Sequence, residues 1–438
     1  MKNKILLSIL LVPIYLFSQN YDYTLSLKDA VHLALQNSKN LKIAESKVVS
    51  AEAKTKETNT QLYPTLKLTS GYTRLSQVVP FKINFQGREF EISPTILNNY
   101  QIRLGIQYPI FTGFRLENTS SMMELNAQAS KQDLESERTK VIFDVQTLYW
   151  TIKNLEATLK SIQENIRQVQ SHLNDIQNFY KAGLATENEV LKVKVQLSNL
   201  ELAKIDIENA IKINKINLCI VTGLPTTANL ILTSEPNKET KEYPDLLQLL
   251  NIAYKNRPEL KALELRKEAS KKSIEVAKSG WFPQILFGAN YYYNRPNQRL
   301  MPLQDKFYGT WDLGITLSYD IWNWMSTKYQ TQQAEANYYQ TDLSIQQLKD
   351  GITLEVSQNY YAYLRAKEKI KVAIEAVEQA EENYRVTYEK FKNGLITSSE
   401  LLDAEVALLN SKISYNNSLL ELEITKAKLE KSINYVEQ

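Results

Sequence analysis

The hydrophobic positions of this chain follow a helical period over one long stretch, residues 114–222. Within this stretch Gly183 is the only glycine, and no proline interrupts the pattern. From Val145 onward the apolar residues recur at alternating steps of three and four, which is typical of a left-handed coiled-coil seam. The seam consists of Val145, Leu148, Ile152, Leu155, Leu159, Ile162, Ile166, Val169, Leu173, Ile176 and Tyr180. The pattern predicts a helix from Phe114 to Lys181, a turn at Gly183 and a second helix that returns from it.

The helix after this turn carries two apolar stripes. The first stripe contains Val190, Val193, Leu197, Leu200, Ile207 and Ile211, and the second contains Leu191, Val195, Leu202, Ile205 and Ile216. A helix with two apolar edges needs a packed neighbour on each side. The pattern therefore favours a ring or layer of helices over an isolated hairpin.

Two shorter segments alternate between apolar and polar residues, which is typical of β-strands. One segment runs from Tyr100 to Tyr108 and the other from Trp311 to Tyr319, so each has an aromatic residue at both ends. These aromatic residues are separated by about 26 Å along an extended strand. The spacing fits a membrane β-strand between two aromatic girdles, and a half-buried strand of a soluble sandwich is the alternative. Weaker strands are predicted just after Pro64 and Pro283, where the preceding helices must end.

The chain is a tandem repeat of one unit. Residues 37–64 echo residues 256–283 at a constant offset of 219 (283 − 64), and Gly183 matches Gly394 at an offset of 211 (394 − 183). The difference between the two offsets falls within residues 72–100, which predicts a longer loop in the first copy. Each copy is expected to contain a helix, a strand, a loop, a strand, a long helix, a glycine turn and a helix.

The repeat defines the expected domain organisation. Residues 1–18 are interpreted as a secretory signal peptide, because two lysines precede an apolar run that is short for a membrane span. The two repeats are predicted at residues 19–227 and 228–438, with a short linker at 226–243. Four strands per chain cannot close a barrel, and open sheet edges are not tolerated in lipid. Membrane strands would therefore have to be pooled between chains.

Composition and charge add little chemistry to this pattern. The formal net charge is +3, and it falls to about +1 without the two signal-peptide lysines, so nucleic-acid binding has no electrostatic support. Cys219 is the single cysteine, and its apolar neighbours predict a buried helical position. His32 and His172 are the only histidines, and no HExxH, CxxC, P-loop or nucleophile-elbow motif is present. We therefore expect no enzymatic activity, catalytic residue, metal site or cofactor.

The order, duplication and spacing of these features resemble the TolC-like outer-membrane efflux protein family. The residues that carry the resemblance are Leu25–Val31, Leu62–Pro64, the turns at Gly183 and Gly394, and Gly223–Pro225. The resemblance covers essentially the whole mature chain. It implies a mainly α fold with a small β part. In this fold, three chains form a periplasmic α-barrel of long helical hairpins and a twelve-strand outer-membrane β-barrel, with four strands from each chain.

The same resemblance implies a function and partners. The function is that of a passive outer-membrane exit duct in a tripartite efflux pump or a type I secretion system of a Gram-negative cell. The partners are the other two chains of a homotrimer, a periplasmic adaptor (membrane fusion) protein, an inner-membrane pump of the RND, ABC or MFS type, and outer-membrane lipid. An exported trimeric coiled-coil structural or adhesive surface protein without a pore is the alternative.

The two glycine turns are the expected docking points for the adaptor. The residues concerned are Ala182, Gly183, Leu184, Asn393, Gly394 and Leu395. Glycine also suits a tight turn for purely structural reasons. Leu184 and Leu395 favour docking, because each would be an exposed apolar residue at the tip of a loop.

The resemblance further implies a pore constriction at Glu400 and Asp403. Glu189 and Glu400 each follow a threonine by three residues, so both are also predicted to complete a helix capping box. Capping by itself accounts for their presence. The counterpart of Asp403 in the first copy is Lys192 (403 − 211). Asp403 is therefore either the second constriction carboxylate or a solvated surface charge.

A gate region is expected at Glu189, Phe391 and Ile396. Ile396 stands where the family pattern has an arginine, and Phe391 where it has a tyrosine. A gate hydrogen bond from either position is thus not expected. A closed state would depend on packing instead.

Overall fold

The chain folds as two copies of one order of elements. The computed structural model describes residues 22–77, 79, 82–91, 95–237 and 241–435, so the predicted signal peptide at 1–18 lies outside the described residues. The first copy contains β1 (Asp22–Leu25), α1 (Leu27–Asn37), α2 (Lys39–Thr60), β2 (Thr65–Arg74), β3 (Lys82–Phe85), β4 (Arg88–Glu91), β5 (Asn98–Phe111), α3 (Arg115–Lys181) and α4 (Glu187–Thr222). The second contains β6 (Asn229–Leu232), α5 (Leu246–Asn256), α6 (Pro258–Lys278), a 3₁₀ turn (Ser279–Trp281), β7 (Gln284–Asn294), β8 (Tyr308–Ser318), α7 (Ser326–Lys392) and α8 (Ser398–Ser432).

Most element boundaries agree with the sequence pattern. Helices α3 and α7 both contain 67 residues, so the repeat in the sequence is also a repeat in the structure. Helix α3 begins one residue later than predicted and ends at Lys181. Strands β2 and β7 begin directly after Pro64 and Pro283. Tyr319, predicted to end the last strand, lies one residue beyond β8. Among the helices of the described ranges, none combines the length and apolarity needed to cross a bilayer.

Two small sheets are present that the sequence pattern does not predict. The longer loop of the first copy contains a hairpin of β3 and β4, whose turn residues Gln86 and Gly87 both have positive φ (+50° and +77°). Two-residue turns of this kind match the twist of a hairpin. The second sheet is the parallel pair of β1 and β6, and β6 lies in the segment predicted as a linker. All four strands contain four residues, which is too short for a clear alternating pattern.

The chain divides into two compact units, and each unit takes residues from both copies of the repeat. Unit 1 contains the described residues of 1–41, 138–246 and 356–438, and unit 2 contains those of 42–137 and 247–355. In unit 1, a buried core surrounds Tyr149. Its hydroxyl donates to the Leu25 carbonyl (3.0 Å) and accepts from the backbone N–H of Ser234 (2.8 Å).

The predicted seam of α3 contributes Val145 and Ile152 to the core around Tyr149, and it contributes Val169 to a second core of unit 1. Val145, Ile152 and Val169 are fully buried, whereas Tyr180, at the end of the seam, is exposed. The two stripes of α4 have different environments. The first packs into this core through residues such as Val193, and each member of the second is between 42% and 61% exposed. The second stripe is thus an apolar surface of the single chain, as expected if it needs a further neighbour.

Unit 2 contains a four-stranded antiparallel sheet in the order β2–β5–β7–β8. The register aligns apolar side chains in rows across all four strands. One row consists of Leu68, Leu104, Tyr291 and Trp311, and these side chains are between 42% and 69% exposed. This face of the sheet is therefore apolar and uncovered in the single chain.

The opposite face of the sheet is polar and internally hydrogen bonded. Arg103 Nε donates to Asn290 Oδ1 (2.9 Å), and Asn290 Nδ2 donates to Asp312 Oδ1 (2.8 Å). The guanidinium of Arg103 also lies 5.8 Å from the ring centre of Tyr292. The sheet therefore has one polar and one apolar side, as the alternating sequence pattern predicts.

Candidate functional site

Both glycine turns end a long helix with the same pair of hydrogen bonds. The Gly183 N–H donates to the Tyr180 carbonyl (2.9 Å), and the N–H of Leu184 donates to the carbonyl five residues before it (2.8 Å). Gly394 and Leu395 form the corresponding bonds at the end of α7 (2.9 Å each). This pairing is the Schellman motif, which satisfies the last carbonyls of a helix and requires a left-handed residue.

Glycine is required at these turns by backbone conformation and not by crowding. Gly183 has φ +76° and Gly394 has φ +71°, and a Cβ atom at either position would meet no atom within 4 Å. The following residues, Leu184 and Leu395, are 78% and 72% exposed. Each turn thus presents a leucine to solvent at the end of a hydrogen-bonded helix cap. Ala182 and Asn393, which precede the glycines, are exposed as well.

The two predicted capping boxes differ. The Glu189 carboxylate accepts from the Thr186 backbone N–H (2.8 Å), and the Glu189 N–H donates to Thr186 Oγ1 (3.4 Å), so this box is complete. At the second turn, the Glu400 N–H donates to Thr397 Oγ1 (3.3 Å), but the Glu400 carboxylate accepts from the hydroxyl of that threonine (3.2 Å). The described contacts there form only half of the box. The prediction that Glu400 completes a capping box is therefore wrong.

Glu400 and Asp403 line the same open groove on unit 1. The groove encloses about 330 Å³ and is also lined by Asn383, Thr387, Lys390, Ile396 and Ala404. Both carboxylates are exposed and lie one turn apart on α8. Lys192, the counterpart of Asp403, donates to Ser399 Oγ instead (3.2 Å). The structure thus brings Glu400, Asp403 and Ile396 together, while Glu189 on α4 is not part of this groove.

Phe391 is a core residue. It is 2% exposed. Its ring lies 4.9 Å from the imidazole of His172 in an edge-to-face arrangement and 5.5 Å from the ring of Phe179. The apolar ring is therefore held between two side chains of α3.

His172 lies at the centre of a buried polar cluster that the sequence pattern does not predict. Its Nδ1 is 3.3 Å from Glu405 Oε2, and its Nε2 is 3.0 Å from Ser398 Oγ. His172 and Glu405 are both 0% exposed, and Ser398 is 2% exposed. A neutral imidazole has one donor and one acceptor nitrogen. A donor Nδ1–H toward the carboxylate leaves Nε2 free to accept from the serine hydroxyl.

This cluster links α3 to α8 without contact to solvent. A Ser–His–acid arrangement is also found in hydrolases, but these three side chains are sealed from any substrate. Glu405 Oε1 has no hydrogen-bond partner among the described residues. Burial raises the pKa of the nearby Tyr384 to about 12, and the charge of Glu405 adds to this effect. The sequence does contain one signal, because Glu405 stands among the buried apolar residues of α8, such as Leu401 and Leu408.

Comparison with known proteins places this architecture in a family. Residues 30–224 and 249–435 match the family described as outer membrane efflux protein. Toxin and drug export protein A of Aggregatibacter actinomycetemcomitans is 24% identical over 343 residues, which cover 71% of this chain and 67% of that protein.

Two solved structures share the fold. The outer membrane protein VceC of Vibrio cholerae superposes with a TM-score of 0.79 at 19% identity, over 93% of this chain and 95% of VceC. The CmeC outer membrane channel of Campylobacter jejuni superposes with a TM-score of 0.79 at 17% identity, over 93% of this chain and 85% of CmeC. The fold, the duplicated elements and the match over more than half of the residues lead to one conclusion: the chain belongs to the outer membrane efflux protein family.

Proposed function

We propose that this chain is the outer-membrane exit duct of a tripartite efflux pump or a type I secretion system. Membership of the outer membrane efflux protein family supports the efflux role. The conduit itself is passive, and an inner-membrane transporter of the RND, ABC or MFS type would supply the energy. The name of one relative refers to toxin and drug export, and both substrate classes are candidates for this chain.

The uncovered apolar face of the sheet is the observation that carries this proposal. A continuous exposed apolar face on a single chain indicates contact with a membrane or a protein partner. Exposed aromatic residues occur at both ends of the sheet. Those at the end where the helices attach are Tyr63, Phe114, Trp281, Trp322 and Trp324, and those at the opposite end are Tyr72, Tyr291, Tyr293, Tyr308 and Trp311. Two aromatic rows around a band of leucine and isoleucine are typical of a transmembrane β-barrel.

The edges of the sheet support a homotrimer. Strands β2 and β8 form its two edges, and unpaired edge groups are not tolerated in hydrocarbon. Three chains would contribute twelve strands to one closed barrel. The exposed second stripe of α4 independently requires an apolar neighbour. Copies of the same chain would supply an apolar neighbour for the stripe, and they would also supply partners for the strand edges.

The two turns and the adjacent groove are assigned roles within this trimer. We infer that the two exposed leucines and their neighbours, residues 182–184 and 393–395, dock a periplasmic adaptor. Glu400 and Asp403 would form the constriction, with Glu189, Phe391 and Ile396 in the gate region around it. The exposed positions of the leucines and of the two constriction carboxylates are compatible with these roles. We retain residues 19–227 and 228–438 as the two repeats.

Mass measurement and conductance recording test the proposal together. The detergent-extracted protein should have the mass of a trimer, and it should form stable single channels in a planar bilayer. A monodisperse monomer that keeps its strand content in lipid would contradict the pooled barrel. A stable trimer that never conducts would instead favour a structural or adhesive surface protein.

A further inference from the structure

We propose that a groove between α6 and α7 binds the phosphate headgroup of an anionic phospholipid. The groove encloses about 470 Å³, and Lys278, Trp281, Phe282, Lys328, Gln332 and Glu335 are among its lining residues. This volume lies within the range of small-ligand sites, roughly 300–1,000 Å³. The inference depends on the proposed function, because it requires the sheet to lie in a membrane.

The position of the groove matches the expected level of lipid headgroups. Trp281 and Phe282 come just before Pro283 and β7, and Lys328 lies in the first turn of α7, shortly after β8. Trp281 is 51% exposed. The Phe282 ring packs edge-on against Phe114 at 6.1 Å. The groove is therefore continuous with the aromatic row at the helix end of the apolar sheet face. Aromatic side chains with lysines beside them are typical of the membrane–water interface.

The two lysines of the groove lie at the end nearest the sheet, and this arrangement favours an anion there. Lys328 and Lys278 lie beside the aromatic residues, and the Gln332 amide adds hydrogen-bond donors. Lys278 Nζ also contacts Glu275 Oε1 at 2.9 Å, but this is an exposed pair within one helix, and such pairs contribute little. Glu335 follows Lys328 by seven residues, which places it roughly 10 Å farther along α7 from the sheet. A phosphate at the two ammonium groups would thus lie away from this carboxylate.

The first copy of the repeat lacks the charges of this site. Lys278, Trp281 and Lys328 correspond to Asn59, Leu62 and Glu117 at the offsets of the repeat. The Asn59 side chain also accepts a hydrogen bond from Ser120. At the equivalent positions of the first copy, Glu117 is a carboxylate, and the amide of Asn59 already has a hydrogen-bond partner. Neither position carries an ammonium group. We expect one anionic lipid for each chain, bound by the second copy.

Native mass spectrometry of the full protein released from nanodiscs tests this proposal. The nanodiscs contain phosphatidylcholine with a minor fraction of phosphatidylglycerol that has the same acyl chains. The parent should retain one phosphatidylglycerol per chain and no phosphatidylcholine. Lys278→Gln with Lys328→Gln should bind phosphatidylglycerol about 30-fold more weakly, since each lysine at an anionic lipid contributes roughly a factor of five.

A matched control separates this site from general charge effects. Lys42→Gln with Lys47→Gln removes the same charge from exposed lysines on α2 of unit 2, and it should retain phosphatidylglycerol like the parent. Equal retention by the groove variant and the parent would overturn the proposal, and so would equal loss in both variants. Inorganic phosphate at millimolar concentration should not displace the lipid. Displacement would mean that the groove takes a free anion and not a lipid.

Trimer mass and conductance, recorded on the same samples, report separately on the proposed function. A conducting trimer that retains no phosphatidylglycerol would refute the lipid site and leave the duct intact. A parent protein that fails to insert into nanodiscs would refute both, because the groove would then not reach a membrane.

Discussion

Replacing His172 with leucine should destabilise the contact between α3 and α8 by about 3–5 kcal/mol, because it leaves a buried carboxylate without its partner. The structure favours the upper part of this energy range for two reasons. Both residues are 0% exposed, and the other carboxylate oxygen of Glu405 already has no partner among the described residues. The imidazole at 3.3 Å is thus the main compensation for this charge.

Removing the whole cluster should cost far less than removing one member. A triple variant with His172→Leu, Glu405→Met and Ser398→Ala replaces three buried polar groups by apolar groups of similar volume. Such replacements are often neutral or stabilising, and we expect a change below about 1 kcal/mol. The Phe391 ring keeps an apolar neighbour in this variant, because leucine occupies the space of the imidazole.

Hydrogen exchange of the intact assembly measures this local stability. A loss of 3–5 kcal/mol corresponds to a decrease in protection of roughly a hundredfold to several thousandfold, confined to peptides that cover the cluster. His32→Leu is the matched control, since His32 is exposed and surface changes stay within about 0.5 kcal/mol. The reasoning is refuted if His172→Leu changes protection no more than His32→Leu does. It is equally refuted if the triple variant is as unprotected as the single one.

The remaining predictions concern the membrane, the turns and the pore. Leu104→Arg should reduce the SDS-resistant trimer in membranes, with a cost of roughly 2–4 kcal/mol near the bilayer centre. Gln101→Arg, on the other face of the sheet, should be much milder, and equal losses would show that the strands do not face lipid. Gly394→Val forces a β-branched residue to positive φ at a cost of about 1–2 kcal/mol, although its Cβ atom would meet no atom within 4 Å. It should abolish cross-linking to the adaptor and leave the trimer intact, whereas dissociation of the trimer would give this glycine a structural role only. Glu400→Gln with Asp403→Asn should remove cation selectivity from single-channel currents, and unchanged selectivity would mean that these carboxylates do not line the pore.

Periodicity and repetition in the sequence were sufficient to predict the family and most of the secondary structure. The steps of three and four predicted the long helix that ends at Lys181, and the alternating residues predicted strands β5 and β8. These signals are local, because the side-chain period of a helix or strand depends only on backbone geometry. The predicted family is confirmed by the match over residues 30–224 and 249–435. The exposure of one stripe of α4 was likewise foreseeable, since two apolar edges cannot both pack inside one hairpin.

Only the tertiary structure decided which distant residues meet. The burial of His172 against Glu405 joins residues 233 positions apart, and no local pattern records such a pairing. The groove at Lys278 and Lys328 likewise depends on how α6 and α7 approach each other. The order β2–β5–β7–β8 brings strands from both repeats into one sheet. Which strands pair depends on backbone hydrogen bonds and on the alignment of apolar faces across the whole unit. The sequence thus specifies the elements and their apolar faces, whereas side-chain environments arise only when several elements pack together.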